Sequence, residues 1–364
     1  MAMRRRQLLQ MTSAQLVAMG LPVSVPAASA LASGPLKVVQ WGTSHAHASG
    51  KLAALRSLPS LWEVTGLIEP DPRRAAKVAS QAPYAGLPIL DVEAVLSDPQ
   101  VKLVVVEEGI ESCCEAARRC IEAGKHVHLD KPGALGHHEF KQMRQLAANR
   151  GLIVQMGYML RVHPGFVLLR QAVREGWLGQ ITEIDAAMGK LADPGTRAKL
   201  KALPGGGFFE LACHLLDQVI DLMGEPSQIK ALSTPTGADG VADNQVALLG
   251  FGKASALIRC NHADPLGGPK RHFDVSGSNG SFSMQPLEGA KAVVQLIKPA
   301  GPWRAGLQEI DLKTPKDRYA AEFELLWRCL VRSEVFPWGA EHDLRVHRSL
   351  LAASGLRLDG SVAD

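Results

Sequence analysis

The most constraining feature of this chain is the run Val101–Val106, VKLVVV. It is almost wholly apolar and β-branched, with no in–out alternation. Such a run suits a strand buried on both faces, the situation in parallel sheets covered by helices on either side. The residues around it fit that setting. Short apolar runs at 36–41, 63–68, 87–90 and 126–130 alternate with helical stretches at 46–57, 73–80, 91–96, 111–123 and 137–150. Gly42, Gly124 and Gly151 mark ends of these segments. Strands alternating with helices predict a doubly wound parallel sheet with right-handed crossovers. Ligands of such sheets sit beyond the carboxyl ends of the strands, where Gly42, Glu69, Glu107 and Asp130 fall.

The second half changes character. A strand at 152–156, a helix at 164–175 and a strand at 181–189 are followed by Gly205-Gly206-Gly207 and a helix over 209–223. Then come alternating segments near 228–233, 244–251, 254–261, 270–276, 280–284 and 292–298, separated by Gly, Asn and Pro turns. That spacing predicts a mostly antiparallel sheet. Helices over 318–333 and 341–354 close the chain. The 364 residues thus divide into an α/β nucleotide-binding type domain at 35–151, a second α/β domain at 152–340, and a last helix and tail at 341–364.

Residues 1–30 read as an address. Arg4, Arg5 and Arg6 precede a weakly apolar stretch, and Ala28-Ser29-Ala30 fits an A-x-A cleavage site. Arg5-Arg6-Gln7-Leu8-Leu9-Gln10 resembles a twin-arginine export signal, which predicts a periplasmic or secreted protein, or a cytoplasmic one if the segment is only a basic tail. The stretch carries Pro22 and Pro26 and is too broken to span a membrane. Of 40 Lys plus Arg, three lie in this segment, leaving 37 against 36 Asp plus Glu. A near-neutral surface argues against nucleic acid as a partner. The six cysteines sit mostly in predicted helices and strands, where free, buried thiols are expected.

Several segments in order resemble the Gfo/Idh/MocA family of sugar oxidoreductases. They are EAGKHVHLDKPGAL at 122–135, MGYMLRVHPGFVLLRQAVREGWLGQITEI at 156–184, GGGFFELACHLLDQVIDLMG at 205–224, and the late FDVSGSNGSFSM and FPWGAEHDLRVHRSLLAAS. The resemblance implies a Rossmann-type domain and an NAD- or NADP-dependent oxidoreductase acting on a sugar, polyol or glycoside. Lys131 would lie near the nicotinamide and the reacting hydroxyl, His214 would be the general acid or base, and Glu210 would stand for the family's usual Asp. Glu69 would take the ribose hydroxyls. With the other strand-end residues, the cofactor-binding set becomes Gly42, Thr43, Ser44, His45, Glu69, Glu108, Asp130 and Lys131. NAD is favoured because no Arg directly follows Glu69, while Arg73 and Arg74 leave NADP open. The partner would be a small carbohydrate. The exposed face of the second sheet, as in relatives, would suit a homodimer or homotetramer.

The chemistry of the residues supports this set. Removing hydride from a secondary alcohol needs a base for the hydroxyl proton and a cation for developing negative charge. Glu210 and His214 are four apart and would share a helix face, with the Gly run ahead of them allowing close approach of a ligand. Asp217, three residues on, is placed to orient the imidazole.

Two departures stand out. The expected G-x-G-x-x-G is Gly42-Thr43-Ser44-His45-Ala46-His47, with one glycine left. The fourth strand is followed by Glu107-Glu108, and one carboxylate 6 Å from a diphosphate charge costs about 3 kcal/mol at an effective dielectric near 20. The carboxylates point elsewhere, a cation intervenes, or the cofactor binds unusually. His45, His47, Glu107 and Glu108, with His128 and Asp130 close by, would then lie on neighbouring loops with the donor types of a divalent-metal site; His137-His138 is a further pair. An exported enzyme with a tightly held cofactor also permits redox-neutral chemistry, including an oxidising glycosidase. A sugar-binding protein without chemistry is the remaining alternative.

Overall fold

The computed structural model describes residues 34–363, so the twin-arginine and cleavage-site readings lie outside the described residues. The first domain carries β1 (Leu36–Trp41), α1 (Ala48–Arg56), β2 (Trp62–Ile68), α2 (Pro72–Val78), α3 (Val92–Ser97), β3 (Val101–Val106), α4 (Cys113–Glu122), β4 (His126–Leu129), α5 (His137–Asn149) and β5 (Val154–Met156). Its sheet is parallel, in the order β2-β1-β3-β4-β5. The β-branched run is the central strand: Val104 pairs with Val39 on one side and Val127 on the other. Residues 87–90 extend this sheet by one isolated parallel bridge, Leu67 to Ile89, instead of a full strand. Asp71 and Asp91 cap α2 and α3 by accepting from backbone N–H groups. Helix α1, which follows the altered glycine loop, begins at His47 without a side-chain cap.

The second domain carries α6 (Pro164–Arg174), β6 (Ile181–Gly189), α7 (Pro194–Ala202), α8 (Cys213–Met223), β7 (Gln228–Thr234), β8 (Asn244–Gly250), β9 (Ser255–Asn261), β10 (His272–Gly277), β11 (Gly280–Met284), β12 (Lys291–Leu296), β13 (Gly306–Asp311), α9 (Ala320–Val331) and α10 (Ala340–Ala353). Its eight strands run β13-β12-β11-β10-β6-β9-β8-β7. All neighbours are antiparallel except β6 and β9. The fold is therefore a Rossmann-type parallel sheet joined to an α/β domain with a mostly antiparallel sheet.

Three departures from the sequence reading shape the site. The fifth parallel strand, β5, lies past the 151/152 boundary and completes the first sheet. Helix α9 falls inside the 152–340 span but packs back on that sheet, with Phe323, Leu326 and Leu330 against Val38, Leu55, Trp62 and Leu103. Each such side chain contributes roughly 1.5–3 kcal/mol of burial, so α9 belongs to the first domain's core. Helix α7 and strand β13 were not expected. A second apolar cluster runs without a break from Val104 and Leu129 through Met156 and Leu160 to Phe208, Leu215 and Ile258. The two domains thus share a core, which fixes the cleft between them. All six cysteines are free and buried. Among the described residues no helix is long and apolar enough to cross a membrane.

Candidate active site

The loop between β1 and α1 forms one wall. Gly42 has φ +89°, and a Cβ there would meet Glu108 Oε1 at 2.7 Å and the Glu107 backbone at 3.0 Å. Glycine is required because the chain after β3 passes so close. Thr43 Oγ1 donates to Glu69 Oε2. Glu69 Oε1 accepts from Arg74 Nη2 at 2.8 Å and Nε at 3.1 Å, and from the Asp71 N–H at 3.0 Å. The carboxylate expected to take ribose hydroxyls is thus already held in place by Arg74. Glu108 turns towards the same region. Its Oε2 accepts from Ser112 Oγ at 3.2 Å, while its buried Oε1 has no partner. Burial first, and then the charge of Glu69, push its pKa upward, while Arg74 opposes the shift. Arg74 pairs directly with Glu69 and offsets part of the charge around Glu108.

Beneath the loop lies a cluster of charge. Lys51, on the buried face of α1, has no exposure; its Nζ is 2.6 Å from Asp130 Oδ2 and 3.2 Å from Glu107 Oε1. His45 Nδ1 lies 2.9 Å from Asp130 Oδ2 and His47 Nδ1 lies 3.1 Å from it. The His45 backbone N–H donates to Glu107 O at 3.0 Å. Burial lowers the Lys51 pKa, but Asp130 and Glu107 outweigh it, so the ammonium is held above its ordinary range. Burial likewise opposes protonation of His45, but Asp130 and Glu107 prevail and raise it to about 9. For His47, burial wins over Asp130, and its pKa falls. Of the residues grouped from sequence as metal donors, His45, His47, Glu107 and Asp130 meet here. His128 does not: its Nε2 faces Glu322 of α9 at 3.4 Å. His137 packs instead against His347 of α10, with ring centroids 5.5 Å apart.

Lys131 and Glu210 form the far wall, and His214 is buried close by. Lys131 follows β4 and its Nζ donates to the backbone carbonyl of Glu210, with Glu210 Oε1 at 3.4 Å. Burial would lower the Lys131 pKa, but the Glu210 carboxylate holds it above its ordinary range. Burial would raise Glu210, but Lys131, His262 and Lys190 keep it ionised. His262 Nε2 is 3.7 Å and Lys190 Nζ 3.9 Å from Glu210 Oε2. Burial, then Lys131 and His47, keep His214 far below its usual range, so the imidazole is neutral. Its Nδ1 is buried without a partner. Its ring lies 6.3 Å from that of His47 and 6.0 Å from that of Tyr158, centre to centre.

Two expectations here need correction. Glu210 lies in a π-helical turn, Phe208–Ala212, and only His214 is in α8, so the four-residue spacing is not one regular helix face. Asp217 does not orient His214. It binds Arg161 at 2.6 Å and His342 at 3.0 Å. The residue that sequence reasoning missed is Lys51. A lysine in a helix reads as solvent-facing, and the only signal was that it follows His47, the N-cap of α1, by one turn.

A cleft runs between the walls in two contiguous parts. One, of about 360 Å³, is lined by Thr43, Ser44, His45, Arg74, Tyr84 and Lys199 among others. The next, of about 280 Å³, shares Ser44, His45, Ala46 and Lys199 and reaches Glu108, Asp130, Lys131 and Glu210. A dinucleotide fits this donor set. Arg74, which holds the buried Glu69, stands at one end, Lys199 from α7 lines both parts, and Lys131 stands at the other. Lysine and arginine side chains supply the positive lining that the lost glycines would have supplied through backbone N–H groups. The unpartnered Glu108 Oε1 is a ready acceptor for a ligand hydroxyl.

This fold is the two-domain type with a Rossmann-type sheet joined to a mostly antiparallel one. The family model described as an oxidoreductase family with NAD-binding Rossmann fold matches residues 36–158, and the GFO/IDH/MocA C-terminal domain matches residues 166–283. The chain belongs to the Gfo/Idh/MocA oxidoreductase family. It is 34% identical over 227 residues to the uncharacterized oxidoreductase YhhX of Escherichia coli (strain K12), covering 61% of this chain and 63% of that one. It is 25% identical over 204 residues to the scyllo-inositol 2-dehydrogenase (NADP(+)) IolW of Bacillus subtilis (strain 168), covering 55% and 56%. The match therefore spans less than two thirds of either relative's length. A levoglucosan dehydrogenase solved with NADH and levoglucosan superposes with TM-score 0.76 over 88% of this chain and 97% of that one, at 17% identity. That likeness is one of fold.

Proposed function

We propose that this protein oxidises or reduces a hydroxyl-bearing carbon of a small carbohydrate, polyol or glycoside with NAD or NADP. The observation that carries the reading is the Lys131–Glu210 pair with neutral His214, set where the cleft from the β1–α1 loop meets the second domain. When bound, the nicotinamide supplies the hydride acceptor or donor. Everything else falls to the chain. In the oxidising direction, His214 takes the hydroxyl proton. It is neutral and its Nδ1 has no competing partner. Lys131 remains an ammonium and opposes the negative charge that develops on the oxygen. Glu210 keeps that ammonium charged and positioned. Glu69, held by Arg74, is the acceptor for ribose hydroxyls, and Lys199 faces the middle of the cleft from α7. The printed activities of the relatives, on scyllo-inositol and levoglucosan, support the class of substrate and no finer choice.

The test starts with the purified protein, denatured, with any released nucleotide identified by mass spectrometry. NADH fluorescence titration of the native protein follows. Stoichiometric nucleotide, or saturable binding, is expected. Lys131→Met and His214→Asn are expected to retain binding and lose roughly 10²–10⁴-fold in turnover on whichever sugar or polyol the wild type uses. A protein that carries no nucleotide and binds none would end this reading.

A further inference from the structure

The proposed reaction leaves one cluster unused. At the carboxyl ends of β1, β3 and β4, four side chains converge: His45, His47, Glu107 and Asp130. His45 Nδ1 is 2.9 Å from Asp130 Oδ2 and 3.4 Å from Glu107 Oε2, and His47 Nδ1 is 3.1 Å from Asp130 Oδ2. Donor atoms of His45, His47 and Asp130 all lie within 4.8 Å of one another. Two ligands each about 2.1 Å from one cation, at roughly right angles, stand about 3 Å apart. The cluster already has that spacing. It is assembled by the sheet order, which makes β3 the neighbour of both β1 and β4.

Glu107 is the second, independent observation. Its side chain has no exposure; its carboxylate pairs with the Lys51 ammonium at 3.2 Å and stands 3.4 Å from His45 Nδ1. It is aimed at Lys51, which borders the cluster, and at His45, which belongs to it. Lys51 bonds Asp130 Oδ2 and would act outside the ligand shell, orienting both carboxylates.

We infer that His45, His47, Asp130 and Glu107 bind a divalent transition-metal cation. Two imidazoles with two carboxylates and no thiolate favour Zn²⁺, Mn²⁺ or Fe²⁺ over Ca²⁺ or Mg²⁺, which take oxygen ligands. His45 and Asp130 also line the inner part of the cleft beside Lys131. A cation here would have an open side towards a substrate oxygen. The site does not depend on the dinucleotide and goes beyond the hydride-transfer reading.

The experiment uses the purified protein in two states, as isolated and after stripping with EDTA. Metal content is measured by plasma mass spectrometry. The stripped protein is titrated with Co²⁺ by visible absorption, then with Zn²⁺ in competition. One equivalent of metal is expected, with visible Co²⁺ bands and displacement by Zn²⁺. His47→Gln is expected to weaken Co²⁺ binding at least a hundredfold, while His137→Gln, in the distant histidine pair, leaves it unchanged. His45→Gln serves as a second variant, and circular dichroism establishes that each is folded. Stripped wild-type protein that gives no Co²⁺ bands would overturn the inference, as would Co²⁺ binding equally tight in folded His47→Gln. NADH titration of the stripped protein reports on the dinucleotide separately, so either reading can fail alone.

Discussion

Two buried charge clusters are built differently. In one, Arg161 joins Asp217 and Asp343, each at 2.6 Å, and Arg144 reaches Asp343 at 2.7 Å. Two guanidinium groups meet two carboxylates. The rings of Tyr158 and Trp338 lie 4.9 and 5.0 Å from the Arg161 guanidinium carbon. In the other, Lys51 faces Glu107 and Asp130, and the partly exposed His45 and His47 connect the cluster to the cleft. The first is balanced and sealed, and it ties the segment after β5 to α8 and α10. The second is open on its cleft side. An enclosed cluster needs nothing from outside, whereas one bordering a cleft can meet a ligand.

The largest expected effect tests that contrast directly. Arg161→Met would leave Asp217 and Asp343 buried with one guanidinium fewer. Removing one partner of a buried charged group typically costs about 3–5 kcal/mol, read as a lower midpoint of urea unfolding. Lys51→Met would cost less, about 1–3 kcal/mol, because His45 can carry a proton and water can reach the cleft side. Equal losses in the two variants would break the distinction between a staple and a site.

The contrast also explains what the sequence could and could not convey. The unbroken β-branched run at 101–106 and the alternation around it made the parallel sheet legible, because burial on both faces leaves a pattern within one strand. The in–out alternation of 228–298 did the same for the second sheet. Helix α7, PGTRAKLKA, left little pattern, since only Leu200 in it is buried. Strand β13 is an edge strand with no buried residue. At the site, Lys131 and Glu210 stand 3.4 Å apart, a pairing between segments that local motifs singled out. The pairing of Asp217 was not legible: spacing of three suggested a partner for His214, while its true partner, Arg161, is 56 residues away in sequence. Lys51 was hidden for the same reason, since its burial is decided by Asp130, 79 residues on. Pairings set by tertiary neighbours leave no mark on local periodicity.

A second effect concerns α10, which brings Asp343 to the sealed cluster and His347 to the first domain. His347 is buried, its Nε2 3.0 Å from Ala134 O, and its ring stacks on Phe140 at 4.5 Å. Burial lowers its pKa from 6.5 to about 4. Between those values the unfolded chain binds a proton that the folded chain refuses. Its contribution is therefore present above pH 6.5, is lost as pH falls to about 4, and changes no further below that. The full difference is on the order of 3 kcal/mol. Urea midpoints measured from pH 7 to 4 should fall less steeply in His347→Phe than in wild type. Identical slopes would mean that this contact does not set the acid sensitivity of the α10 docking.

The smallest effect sharpens the open side of the comparison. Glu108 lines the inner part of the cleft with Ser44 and Lys199, and its Oε1 has no partner. If it faces the diphosphate, its charge opposes binding, and Arg74 offsets only part of that. Glu108→Gln keeps the shape and removes the charge, so NADH should bind about tenfold more tightly, or about 1.4 kcal/mol. The pH dependence fixes the cause. Burial and Glu69 raise the Glu108 pKa, so lowering the pH neutralises this group earlier than an ordinary carboxylate. Wild-type affinity should then rise as pH falls towards that ionisation and approach the variant's, while the variant stays nearly flat. Both curves are read by NADH fluorescence at constant ionic strength. Coincident curves at every pH would show that Glu108 faces the substrate side and that the diphosphate lies wholly against Lys199 and the β1–α1 loop.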